Sequence, residues 1–242
     1  MGKHDHHHDL ESGYSNNALY PNMMESPELR WAFIRKVYAI LCMQLLLTVA
    51  IGAVVVFVPP IARFITGTRA GLAVWIVLLI LPFLLLLPLY FFHKKHPVNF
   101  LILGLFTIAF AFAVGLSCSY TRGEVVLEAV ILTAVVTIGL TLYTFWAAQR
   151  GKDFSFLGPF LFAAVLVLMV FGLIQFFFPL GRISLMIYGA LGALIFSGYI
   201  IYDTDNMMKR YSYDDYIWAA VSLYIDVINL FLSLLSLLEA AE

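Results

Sequence analysis

The chain alternates long apolar runs with short polar breaks, and the runs have the length of membrane-crossing helices rather than of soluble core helices. A helix needs about 20 apolar residues to cross hydrocarbon, and seven runs reach that length. The first extends from Trp31 to Val58 and stops at Pro59-Pro60, and the second from Gly71 to Phe92 before His-Lys-Lys-His. The third, Val98 to Cys118, precedes the polar turn SYTRGE, and the fourth, Val125 to Ala148, ends at QRGKD. The fifth covers Phe156 to Phe178, the sixth Ile183 to Met207 and the seventh Tyr216 to Leu238. The pattern predicts an all-α integral membrane protein with seven transmembrane helices over residues 31–238. A polar, disordered tail over 1–30 and a short tail over 239–242 flank it. The seventh run is open to two readings, a spanning helix or a re-entrant one.

Composition agrees: 62% of residues are hydrophobic and 12% charged, against about a quarter charged in a soluble domain. A net charge of −1 offers no basic face for phosphates and excludes nucleic acid as a partner. Cys42 and Cys118 fall within apolar runs and read as small hydrophobes, not as a disulfide framework or zinc site. The first 30 residues lack the apolar core and cleavage site of a secretory signal, so the first span is expected to act as an uncleaved signal. His4, His6, His7 and His8 carry side chains able to hold Zn²⁺ or Cu²⁺ loosely, but a solvated tail without metal is the expectation.

Lys and Arg set orientation. The N-terminal side with the second, fourth and sixth loops holds Lys3, Arg30, Arg35, Lys36, Lys94, Lys95, Arg150, Lys152, Lys209 and Arg210. The other side holds Arg63, Arg69, Arg122 and Arg182, so ten of the 14 basic residues lie with the N-terminus. A cytosolic N-terminus follows, and an odd number of spans puts the C-terminus on the opposite side.

Against this background Asp203 in GYIIYDTDNMM and Asp226 in AVSLYIDVINLF stand out, because lipid cannot solvate a carboxylate and a partner must. The sixth and seventh runs form a hairpin about the turn Lys209–Asp215. At about 1.5 Å per residue, the two aspartates lie at similar depth in the inner half of the bundle. Ser222, Asp226, Asn229, Ser233 and Ser236 recur in steps of four and three, which is one helical face. Such a stripe must face protein or water. For its serines and Asn229, interhelical hydrogen bonding is the alternative to a polar path. For Asp203 the alternative is a helix-end carboxylate neutralised by Arg210.

Two carboxyls a few ångströms apart in low dielectric cannot both stay ionised cheaply, so the pair is expected to share a proton. Deprotonated, it offers hard oxygens suited to Ca²⁺. Glu128, near the outer start of the fourth run, is a secondary acid: an extension of the ionic path or an interfacial carboxylate in headgroup water. Arg35 and Lys36 are expected to snorkel, or to reach the aspartates as counter-charges. Gly189, Gly192 and Gly198 in the sixth run allow close helix approach.

With FIRKVYAILCMQLLLTVAI entering the first span, GYIIYDTDNMM ending the sixth and LYIDVINLFLSLL in the seventh, the chain resembles the Bax-inhibitor superfamily, and most closely its plant LIFEGUARD branch. The resemblance implies a bundle in which a central helix is wrapped by the others. It further implies a pH-sensitive calcium leak from internal stores, with Ca²⁺ and protons as partners in the lipid bilayer and no bound cofactor. Suppression of stress-induced cell death, with the paired aspartates on Asp203 and Asp226, is also implied. Endoplasmic reticulum, Golgi and vacuolar membranes are the expected locations. Two features depart from the family pattern: the chain lacks the basic C-terminal tail of the better-known Bax inhibitors, and Gly71 to Phe92 holds no Lys or Arg to serve as the closing arginine of some members.

Three function classes fit these residues: a proton-gated cation leak, a non-conducting protein that inhibits cell death through membrane partners, and an intramembrane aspartyl protease. The third is disfavoured because Asp226 follows Leu223-Tyr224-Ile225 where such enzymes carry Gly-x-Gly. No enzyme activity is expected. A receptor reading fails on the seventh run, which has neither a retinal lysine nor Asn-Pro-x-x-Tyr.

Overall fold

Each apolar run folds as a helix because hydrocarbon leaves the backbone no other hydrogen-bond partners. The computed structural model describes residues 18–21, 23 and 26–242, and among them it contains helices and no strands. The spans are α1 (Pro27–Phe57), α3 (Arg69–Phe92), α4 (Val98–Ser119), α5 (Gly123–Gln149), α6 (Leu157–Phe177), α7 (Arg182–Lys209) and α8 (Tyr216–Ala241). All seven are long and apolar enough to cross a membrane. Between α1 and α3 lies a short helix, α2 (Pro59–Gly67). The sequence pattern treated Pro59-Pro60 only as a stop. Proline also suits the first turn of a new helix, where its missing N–H is not needed.

Helix ends correct the expected boundaries at both termini. Pro27 opens α1 four residues before Trp31, and Arg30 is buried with its guanidinium donating to Tyr211 O at 2.7 Å. Leu19 is buried in the main core, so this part of the expected tail is packed; the histidines at 4 and 6–8 lie outside the described residues. At the other end, residues 239–241 form the last turn of α8 rather than a tail.

The last helix is the axis of the bundle. More than half of its most apolar stretch is buried, and it packs against α1, α4, α5 and α7. Tyr224 shows how it is held: its ring meets Phe106 and Phe110 edge-on, with centroids 6.0 and 5.9 Å away, and its hydroxyl lies 2.8 Å from Thr48 Oγ1. Alongside, α1 and α4 cross where a Cβ on Gly115 would stand 3.0 Å from Gly52 Cα, the close approach that small residues permit. Outward faces of α3, α5 and α6 expose Phe83, Leu142 and Val167, which suits lipid and would be a liability in water.

The bundle has two polar ends. The near face carries the start of α1 and the connections 93–97, 150–156 and 210–215; the far face carries α2, the connections 120–122 and 178–181, and the end of α8. At the far face Arg182 Nε donates to Ala240 O, Arg122 pairs with Glu242 at 2.8 Å and Thr121 donates to Glu239 at 3.3 Å. At the near face Asp215 accepts from Lys94 at 2.9 Å and lies 3.1 Å from His93 Nε2. Helix α8 is therefore unbroken from one face to the other, which answers the spanning-or-re-entrant question in favour of spanning.

Candidate functional site

The C-terminal half of α7 places four polar residues, Asp203 to Asn206, one after another. A helical step of two turns the side chain roughly 200°, so Asp203 and Asp205 leave on opposite sides. Asp203 faces α8, where its carboxyl comes within reach of that of Asp226 and of the Asn206 side chain. A hydrogen bond between two carboxyls needs one proton between them. Asp226 is only 4% exposed, and its Oδ2 has no hydrogen-bond partner.

Beside the pair lies a crevice of about 260 Å³ between α6, α7 and α8. Asp203, Tyr199, Ser222 and Asp226 give it a polar wall, and Val165, Phe196 and Ile225 an apolar one. Just beyond the near-face end of α7, burial pushes the Tyr211 phenol above its ordinary range, leaving it neutral. Tyr199 and Tyr211 both lie within electrostatic reach of the two aspartates. Neither tyrosine stood out in the sequence, where aromatic residues are common throughout.

The polar stripe of α8 divides. Ser222 and Asp226 line the crevice. Asn229 turns back on its own helix, donating to Ile225 O at 2.8 Å. Ser233 is buried against α7, where a Cβ on Gly192 would overlap its hydroxyl and one on Gly189 would stand 2.7 Å from its carbonyl oxygen. The far half of the stripe, continuing to a half-buried Ser236, is thus a packing seam. Glu128 is exposed near the far-face end of α5, across the membrane from the aspartates.

The cations expected as counter-charges go elsewhere. Arg210 does not neutralise Asp203: it donates to Asp153 at 2.8 Å and to Asn206. Lys36 sits over the Tyr216 ring, 3.3 Å from its centroid, and Arg35 is exposed on α1. Asp205 is fully buried, paired with Lys209 one turn on, and accepts from Phe154 N at 3.3 Å. Its legible signal was the four-residue spacing to Lys209.

Comparison with known proteins follows the same lines. The family described as "Inhibitor of apoptosis-promoting Bax1" matches residues 30–242. Protein LIFEGUARD 4 of Arabidopsis thaliana is 66% identical, with 97% of this chain and 96% of that protein aligned. Protein lifeguard 4 of Mus musculus is 38% identical over 97% of this chain and 98% of its own length. The Golgi anti-apoptotic protein of Vaccinia virus (strain Lister) is 38% identical over 90% of this chain and 89% of its own.

Proposed function

The chain belongs to the Bax-inhibitor family, alongside the plant LIFEGUARD proteins, and from that premise we propose that it is a pH-sensitive cation leak that restrains cell death. The carrying observation is that Asp203 and Asp226 line one crevice side by side, with one buried Asp226 oxygen unpartnered. With its proton in place the pair is neutral on one side and ties α7 to α8. Loss of that proton leaves two like charges that repel and attract a cation.

Ca²⁺ suits the carboxyl oxygens. Among the described residues no three acidic, histidine or cysteine side chains converge as a metal cluster. The permeant ion would therefore keep water for most of its ligands, which favours passage over retention. Proton and metal compete for the same oxygens, so flux rises with pH across the range in which the pair titrates. The name of the viral relative supports an internal membrane, and with the family's description it supports a role in cell death. The excess of Lys and Arg on the near face supports a cytosolic N-terminus. The role is regulatory rather than catalytic.

Calcium flux into liposomes holding the purified protein tests this, measured from about pH 5 to about pH 8 for wild type, Asp203→Asn and Asp226→Asn. The expected result is pH-dependent flux in wild type and a flattened profile in both variants. Wild-type flux no greater than that of empty liposomes would overturn the leak. The protein would then be a non-conducting factor acting through membrane partners, as the alternative holds.

A further inference from the structure

Resting on the assignment of Asp203 and Asp226 as the ionic site, we propose that the crevice beside them binds an amphiphilic primary amine. Its ammonium would lie on the carboxyl pair and its apolar chain between α6 and α7, entering sideways from the near-face leaflet. The order of polarity along the crevice argues for this occupant. Helix α7 has 28 residues, about 42 Å at 1.5 Å each, and overshoots a hydrocarbon core of about 30 Å. Asp203 is six residues from the near-face end of α7, about 9 Å, which places it close to the headgroup boundary. Phe196 lies two turns deeper, and Val165 on α6 adds to the apolar wall.

The crevice is open on its flank. Helix α6 packs chiefly on α7, and the α8 edge formed by Ser222 and Ile225 stays half-exposed. In a bilayer that opening meets lipid, so an occupant arrives through the membrane. A primary ammonium brings three donors, matching the free Asp226 Oδ2, the Asp203 carboxyl and the Ser222 hydroxyl. The Tyr199 ring beside them offers a face for a cation. A phosphate headgroup would be repelled by the carboxyls, and a quaternary ammonium has no donor to give. The volume of about 260 Å³ takes a head and the first part of one chain, not a two-chain lipid.

Native mass spectrometry of the full chain in detergent tests the site with decylamine as probe, decanol and ethylamine as comparisons, and Asp203→Asn/Asp226→Asn and Val165→Trp as variants. Wild type is expected to retain one decylamine. Apparent affinity should fall about tenfold or more in the double variant, as loss of charged hydrogen bonds predicts. Val165→Trp, which fills the apolar wall and spares both carboxyls, should lose it as well. Equal retention of decanol would overturn the proposal in favour of an unspecific apolar groove, and that comparison needs no variant. Ethylamine retained as well as decylamine would overturn entry from the membrane, and decylamine held equally by wild type and the double variant would overturn the carboxyl site. Because the readout is bound mass and not flux, a wild type that binds decylamine but leaks no calcium sinks the leak alone. The converse sinks only the amine site.

Discussion

At the scale of single residues, the acids that the sequence leaves unremarked are the ones the near face depends on. Asp205, fully buried, holds Lys209 and the Phe154 amide, so Asp205→Asn would leave a largely buried ammonium without its charge partner. Breaking such a pair costs about 3 kcal/mol, read as a lowered unfolding temperature in detergent, while the midpoint of any pH-dependent flux stays in place. Asp215 behaves differently. Partial burial opposes its ionisation, but hydrogen bonds from Ser212, Lys94 and His93 outweigh that and hold the carboxyl down at about 2. A depressed carboxyl contributes stability above its unfolded value, near 4, and loses it as pH falls through its folded value. Asp215→Asn should therefore cost about 1–2 kcal/mol at neutral pH. The gap from wild type should close between about pH 4 and about pH 2, as denaturant titrations across that range would register.

Between elements, the seam of α7 with α8 sets how closely the two aspartates can approach. Gly189 and Gly192 bring the α7 backbone onto Ser233 and Leu237 with no room for a side chain. Gly192→Val should cost about 1–3 kcal/mol by overpacking, and Ser233→Ala should return part of that loss when combined with it, a coupling that a double-mutant cycle measures. The close-approach role of these glycines and the single face of the stripe on α8 were legible in the sequence from spacing, but not that Gly189 and Gly192 meet α8 while Gly198 meets Leu161 of α6. The division of the stripe was not, since Ser222 and Ser233 differ only in what α7 presents opposite them. Helix α2 was hidden because prolines end one helix and begin the next with the same residues. The destinations of Arg210 and Lys36 depend on Asp153 and Tyr216, which come from other connections and share no local pattern with them.

For the whole molecule, the decisive feature is that the central helix is pinned at both faces. At 26 residues α8 is about 39 Å long, more than the roughly 30 Å of hydrocarbon. Its start is tied to 93–94 through Asp215, and its end is tied to Arg182, Arg122 and Thr121. A re-entrant segment would return both ends to one side; here the surplus length projects beyond both. This predicts opposite labelling for cysteines introduced at the exposed positions Asp214 and Glu239, in a background where Cys42 and Cys118 are replaced by alanine. In sealed, uniformly oriented vesicles, an impermeant maleimide added outside should react with one of Asp214→Cys and Glu239→Cys and leave the other untouched until the membrane is opened. Reaction of both from one side would mean that α8 folds back. The aspartate pair would then lie in a one-sided vestibule instead of on a path between two compartments, and no leak could pass it.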